Sequence, residues 1–404
     1  MLRLNTLTRV AALGAVVALA ACSDKPNPLG PSTPVGGEIF KSYVALGNSI
    51  TAGFQSNGIN DSTQRQSYAR LLAIQMGTQY HYASLFGRGC NPPIVNGLTG
   101  ALFQNAPAGT CDLRTPSSVT DILNNVAVPG ARVLDPTSTS APASNALTTF
   151  ILGGKTQVQR ALDANPTFVS IWIGNNDVLQ PALSGLVLPI VSTPAQFQTS
   201  YDLMIQQLVD SEPNLKGILI GVAMVQFLPS VSSGALVFSS PAAQGAINAA
   251  TGKTVVIDAS CNGSTSLLNI PQLILAIRAP APGTHPSVIA CAKGIFPAPV
   301  GDLFVLDPAE QATLTATITA YNTYIQNKAA AIGFAYYDPN ILFAASRASG
   351  AIPPFPNFTS ATATYGTLIT LDAVHPSAVT HKLIANELIG VINTKYGTTL
   401  KPVP

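Results

Sequence analysis

A strand covered on both faces reads as a short continuous apolar run, while a surface helix repeats its apolar positions every three to four residues. Tyr43-Val-Ala-Leu46 is such a run, carries no charge, and is ended by Gly47. The run from Thr167 to Ile173 is stronger, because nearly every position is β-branched or aromatic. Patterning of this kind predicts strands over 39–46, 80–83, 125–128, 167–173, 216–223, 334–337 and 367–371. Between them it predicts helices over 66–76, 156–164, 193–210, 307–333 and 377–395. Three of these carry end signals: Gly77 closes the first, Thr193-Pro194 opens the third, and Asp307-Pro308-Ala309-Glu310 is a capping box. Residues 134–148, rich in Ser, Thr, Ala and Pro, read as loop. Strands alternating with helices imply an α/β fold, a three-layer α/β/α sandwich around a mostly parallel central sheet. Two stretches break the rhythm, at about 86–121 and 229–300, and are expected to be loop-rich insertions, the second a cover over one end of the sheet.

Composition narrows the class. Apolar residues make up 47% of the 404 and charged residues only 9%, so a large core is available and a disordered charged tail is excluded. A net charge of +2, with Arg3 and Arg9 in a segment expected to be removed, argues against nucleic acid as a partner. With 32 Pro and 32 Gly, many connections should be stiff or tightly turned.

The first 21 residues have the build of an export signal, a positive region followed by a short apolar core over 11–21. Leu19-Ala20-Ala21-Cys22 resembles a bacterial lipobox, in which the cysteine is acylated and becomes the new N-terminus. The alternative is an ordinary signal peptide with Cys22 incidental. The polar, Pro-rich stretch 22–37 suits a tether and favours the lipoprotein, with the membrane as partner. By resemblance to lipoprotein sorting rules, Ser23 rather than Asp after the cysteine leans towards the outer membrane if the source is Gram-negative. One folded domain is then expected over 38–404.

Four cysteines remain: Cys90, Cys111, Cys261 and Cys291. An even number in an exported chain suggests disulfides, and four allow three pairings. The local pairs Cys90–Cys111 and Cys261–Cys291 are favoured, because each brackets a Pro/Gly-rich stretch that most needs a staple. Zinc is disfavoured, since no C-x-x-C or neighbouring histidine accompanies them.

Ser49 follows the first predicted strand, at the end where open α/β sheets build their sites. A serine nucleophile needs a base, and the base an orienting acid. Of the four histidines, His81 reads as structural, His285 lies in the second insertion, and His381 lies within the last helix, facing solvent or neighbours. His375 follows a predicted strand end and has Asp372 three residues earlier, so one tight turn joins carboxylate and imidazole. Taken alone, Asp-x-x-His is as well explained by capping. Gly130 and Asn176, each after a predicted strand, are candidate oxyanion donors; their ordinary readings are a turn glycine and a loop asparagine.

Four stretches together resemble a known family. Gly47-Asn48-Ser49-Ile50-Thr51, Val126-Ala127-Val128-Pro129-Gly130-Ala131-Arg132, Gly174-Asn175-Asn176-Asp177 and Asp372-Ala373-Val374-His375-Pro376 resemble, in order, the four blocks of the GDSL-type (SGNH) serine hydrolases. The resemblance implies the SGNH-hydrolase, flavodoxin-like variant of the sandwich and the cleavage of carboxylic esters without cofactor or metal. It makes Ser49 the nucleophile, His375 the base and Asp372 its partner, with the Ser49 and Gly130 N–H groups and the Asn176 amide holding the oxyanion. One departure is Asn48, where the family usually has Asp. The competing expectation from another class is a surface-binding lipoprotein that keeps the scaffold with little turnover.

Overall fold

The computed structural model of the protein describes residues 34–138, 146–187, 191–279, 287–295 and 303–404. The export signal, Cys22 and His285 lie outside the described residues, as do most of the tether and part of the loop expected over 134–148. Four parallel strands form the central sheet: Tyr43–Gly47, Phe168–Trp172, Lys216–Ile220 and Ala335–Tyr337, side by side in chain order. All four therefore end on the same edge of the sheet.

Side-chain alternation assigns the two faces. Val44, Leu46, Val169, Ile171 and Leu219 point into one core, where they meet the helices Gln157–Asp163, Pro194–Ser211 and Pro308–Ile332. Tyr43, Ala45, Phe168, Trp172, Ile218 and Ile220 point into the other, against Tyr68–Met76 and Ala378–Tyr396. Helices on both faces of a parallel sheet make the three-layer α/β/α sandwich expected from the alternation.

Several helix ends match their sequence signals. Thr193 and Gln196 form a capping box ahead of Pro194. Asp307 and Glu310 do the same ahead of Pro308, and Gly333 closes that helix in the left-handed conformation. Where the third strand ends, buried Asn322 accepts from Val222 N–H at 2.6 Å and donates to Val222 C=O at 2.9 Å, completing the backbone that the sheet leaves open.

Other expectations are corrected. Residues Gly37–Phe40 form a 3₁₀ turn, so the first strand begins only at Tyr43. The strands expected over 80–83 and 125–128 shrink to single bridges, Tyr82 to Asn125 and Asn125 to Ala45. Backbone bonds still join 124–128 to the first strand, Ala45 N–H to Asn124 C=O at 2.7 Å and Val126 N–H to Ala45 C=O at 3.0 Å. The Asn124 side chain adds to them by donating to Tyr43 C=O and accepting from His81 N–H, each at 2.9 Å. The strand expected over 367–371 is likewise one bridge, Ile369 to Pro376. Helices stand where none was predicted, among them Asn175–Ser184 and Asn340–Ala348, and Ala146–Leu152 begins inside the stretch read as loop.

Both favoured disulfides form, Cys90–Cys111 and Cys261–Cys291. The second insertion is more ordered than its composition suggests. Val231–Ser233, Leu267–Asn269 and Val305–Leu306 build a small antiparallel sheet over a separate apolar core that includes Val237, Ile247, Leu268 and Cys261.

Candidate active site

The first strand delivers its end rigidly. Gly47 has no room for a side chain, because an added Cβ would stand 2.5 Å from Thr51 Oγ1 and 2.6 Å from Trp172 C=O. Its N–H and C=O are both held by the buried Gln157 amide, each at 3.0 Å. Asn48 then caps a single helical turn, Ser49–Ala52, by accepting from Ile50 N–H at 3.1 Å. Ser49 is the first residue of that turn and 8% exposed.

The other end of the chain brings the acid and base. Asp372, Ala373, Val374 and His375 form one tight turn in which Ala373 takes a left-handed φ of 65°. His375 Nε2 lies 2.9 Å from Ser49 Oγ, and His375 Nδ1 lies 2.8 Å from Asp372 Oδ2. The ring of Phe54 stands 4.9 Å from that of His375, centroid to centroid. Ser49, His375 and Asp372 are thus joined in one hydrogen-bonded chain across more than 300 residues of sequence.

Asp372 accepts from four further donors. Oδ1 takes the Thr370 hydroxyl and the Val374 and His375 N–H groups, all at 2.9 Å. Oδ2 takes Asn57 N–H at 2.7 Å. Burial by itself would push this carboxyl up, but the His375 charge and these hydrogen bonds hold it well below the usual carboxylate range. It therefore stays ionised and fixes the imidazole with Nδ1 as its donor.

The second and third blocks are tied to each other. Gly130 takes φ 85°, in the left-handed region that glycine enters without penalty. Asn176 donates to Ala131 C=O at 2.9 Å. Asp177 accepts from Val133 N–H at 3.0 Å and from the Ser192 hydroxyl at 2.9 Å. Two side chains at the start of the helix Asn175–Ser184 therefore hold the loop that carries Gly130. Asn48 joins the same corner, donating to Asn175 Oδ1 at 3.3 Å. A carboxylate at position 48 would keep the cap and lose this donation.

Ser49, His375 and Asn176 open into one cleft of about 620 Å³ including its mouth. Its walls are mostly apolar, with Leu179, Met224, Phe227, Leu228 and Phe343 among them. Gly130 is not among the lining residues. The remaining described histidines lie outside the cleft lining. His81 is exposed. His381, expected to face solvent or neighbours, is wholly buried, where Nδ1 accepts from Tyr68 N–H at 3.2 Å. Burial and the nearby His375 lower it to about 3, so it is neutral. Among the described residues no group of His, Cys, Asp or Glu has the arrangement to hold a metal ion.

Sequence reasoning missed Gln157, Thr370 and the backbone of Asn57. Gln157 reads as an ordinary helix residue after its Thr156 cap, and no local signal ties it to Gly47. Asn57 acts through its backbone, which side-chain motifs do not report.

The family model for GDSL-like lipase/acylhydrolase matches residues 43–388. No curated protein sequence shows a significant match. Among solved structures, a Parabacteroides merdae protein described as a GDSL-like lipase is 12% identical, with 89% of this chain and 97% of that one covered at a TM-score of 0.39. An acetyl-xylooligosaccharide esterase of Geobacillus is 12% identical, covering 88% and 95% at 0.37. An extracellular lipase of Streptomyces rimosus is 16% identical, covering 88% and 99% at 0.34. At these low scores the fold rests on the strand order and the family match.

Asp177 provides a test of this corner through pH. Burial pushes its carboxyl up to about 6, despite its two donors. An unfolded Asp titrates at about 3.9. Between those values the folded chain holds a proton that the unfolded chain has released, so this group makes stability fall as pH rises from about 4 to about 6. The cost is on the order of 2–3 kcal/mol once ionisation is complete. Asp177→Asn removes that titration. The melting temperature of the variant relative to wild type should climb across this window and level off above it, followed by calorimetry. A difference that does not change with pH would contradict the assignment.

Proposed function

Because the chain belongs to the GDSL-like lipase/acylhydrolase family and is a hydrolase acting on esters, we propose that it works through an acyl-enzyme on Ser49. The observation that supports this most is the unbroken path from Ser49 Oγ through the His375 ring to Asp372, at 2.9 and 2.8 Å. Ser49 Oγ attacks the ester carbonyl carbon as His375 Nε2 takes its proton. Asp372, already ionised, stabilises the imidazolium that forms. The negative oxygen of the tetrahedral intermediate is met by the Ser49 and Gly130 N–H groups and by the second amide proton of Asn176, the first being engaged by Ala131 C=O. Collapse expels the alcohol, which takes the proton from His375. Water, deprotonated by the same imidazole, then releases the acid.

A fluorophosphonate probe should label the wild-type protein at Ser49 and leave Ser49→Ala unlabelled, read by peptide mass spectrometry. Equal labelling of both proteins would overturn the assignment of the nucleophile.

The cleft suggests the substrate class. None of its described lining residues is Asp, Glu, Lys or Arg, so nothing there would recognise a charged headgroup. The apolar walls fit a neutral ester with an apolar chain. Each methylene buried is worth about 0.8 kcal/mol, roughly fourfold in kcat/KM. Across p-nitrophenyl esters from acetate upward, kcat/KM should rise by about that factor per methylene until the cleft is filled. A flat series, or preference for acetylated sugars, would count against this class.

We also propose that Cys22 is acylated and holds the protein to a membrane, with the outer membrane the favoured location. The lipobox-like run and the Pro-rich stretch after it support this. In cells, wild type should fractionate with membranes and Cys22→Ser with the soluble fraction. An unchanged distribution would refute the anchor.

A further inference from the structure

The first cysteine-bearing segment does not contribute to the cleft lining. It packs instead behind the turn that carries Asp372 and His375. Residues Gln55 to Gly58 form a tight hairpin: Gln55 N–H donates to Gly58 C=O at 2.8 Å and Gly58 N–H to Gln55 C=O at 3.1 Å. Its two central residues, Ser56 and Asn57, both take left-handed φ, 54° and 58°, as a type I′ turn requires. The tip of this hairpin grips the turn. Asn57 N–H donates to Asp372 Oδ2 at 2.7 Å, Ser56 N–H to Thr370 Oγ1 at 2.9 Å, and Leu371 N–H to Ser56 Oγ at 3.3 Å.

Left-handed φ at two non-glycine residues needs external support. The cysteine-bearing segment supplies it at backbone distance. Ile94 N–H donates to Ser56 C=O at 2.8 Å, Ile59 N–H to Asn91 C=O at 2.9 Å, and Cys90 N–H to Ile59 C=O at 2.9 Å. The contact is so close that only glycine fits on either side. A Cβ on Gly58 would lie 2.5 Å from Asn91 C=O, and one on Gly89 would lie 2.0 Å from Ile59 C=O. Residues 88–90 are themselves fastened to 111–112 by the Cys90–Cys111 disulfide, by Asp112 N–H to Gly89 C=O at 2.9 Å, and by the Arg88–Asp112 ion pair at 2.8 Å. The same segment also approaches Leu371, the residue before Asp372. Gly97 N–H donates to Ala361 C=O at 2.7 Å, and a Cβ on Gly97 would lie 2.2 Å from Thr364 Oγ1 and 3.2 Å from Leu371.

We propose that this disulfide-tied segment is a positioning brace for the acid–base turn, holding the 55–58 hairpin so that Asn57 N–H fixes the Asp372 carboxylate against His375. The proposal rests on Asp372 and His375 acting as the acid–base pair. The segment touches no reacting atom, so its loss should lower the chemical rate and leave substrate binding nearly intact. Cys90 and Cys111 are positioning residues in this sense, as are Gly58 and Gly89.

The second disulfide is the natural control. Its loop is of similar length, 30 residues against 21, so its removal costs a similar amount of stability in the chain-entropy model. The experiment compares Cys90→Ala/Cys111→Ala with Cys261→Ala/Cys291→Ala well below both melting temperatures. It measures kcat and KM for p-nitrophenyl butyrate and the rate of fluorophosphonate labelling at Ser49. The first pair should lower kcat and labelling about tenfold, as for a weakened hydrogen bond to a charged group, with KM within about twofold. The second pair should leave both rates within about twofold of wild type. If the first pair does not melt cooperatively, Gly58→Ala, with both disulfides intact, should show the same loss of kcat. Full activity in the first pair or in Gly58→Ala, or equal losses in the two pairs, would overturn the brace. Absence of labelling in wild type would instead overturn the reading of Ser49, and the brace with it.

Discussion

A carboxylate removed from water remains ionised only if other groups replace its hydration. Asp372 meets that condition with five donors: the His375 ring, two N–H groups of its own turn, the Thr370 hydroxyl and Asn57 N–H. The donors come from two regions of the chain more than 300 residues apart, so the condition is met only when the fold is complete. Once it is, the imidazole has one orientation, with Nδ1 towards the acid and Nε2 towards Ser49. The rest of the structure can be understood as what carries a hydroxyl to that nitrogen.

The parallel sheet does most of the carrying. Its strands end on one edge, so the segments after the first, second, third and fourth strands supply Ser49, Asn176, Met224 and Phe343 to a single cleft. Fine placement then falls to buried amides. Gln157 holds both backbone groups of Gly47, and Asn48 caps the nucleophile's turn while donating to Asn175. At position 48 the usual charge of the family is exchanged for a donor.

Much of this was legible in the sequence, for identifiable reasons. The strands at 43–47, 168–172 and 216–220 are buried on both faces and so read as continuous apolar runs. Capping boxes at Thr193 and Asp307 and the glycine at 333 mark helix ends through local chemistry alone. The motif residues were findable because their spacing is local, and their order along the chain matched a family. What escaped was set by tertiary partners. The Gly-Asn-Asn-Asp run reads as a turn after a strand, yet Gly174 opens a helix there in the left-handed conformation. The edge segments near 82 and 125 have strand composition, but their pairing is reduced to single bridges, with the Asn124 side chain bonded to both neighbours. The 55–58 hairpin carries an ordinary Asn-Gly turn signal, but nothing local ties its backbone to Asp372, a partner more than 300 residues away.

The account's central claim is that the hydroxyl held by His375 becomes the acyl carrier. The direct measurement is an acid quench during turnover of a slowly hydrolysed ester, followed by peptide mass spectrometry. The account predicts an acyl mass on the peptide that contains Ser49, appearing before steady state and absent from the Ser49→Ala protein. Turnover with no covalent intermediate under these conditions, or an acyl group on another residue, would contradict it.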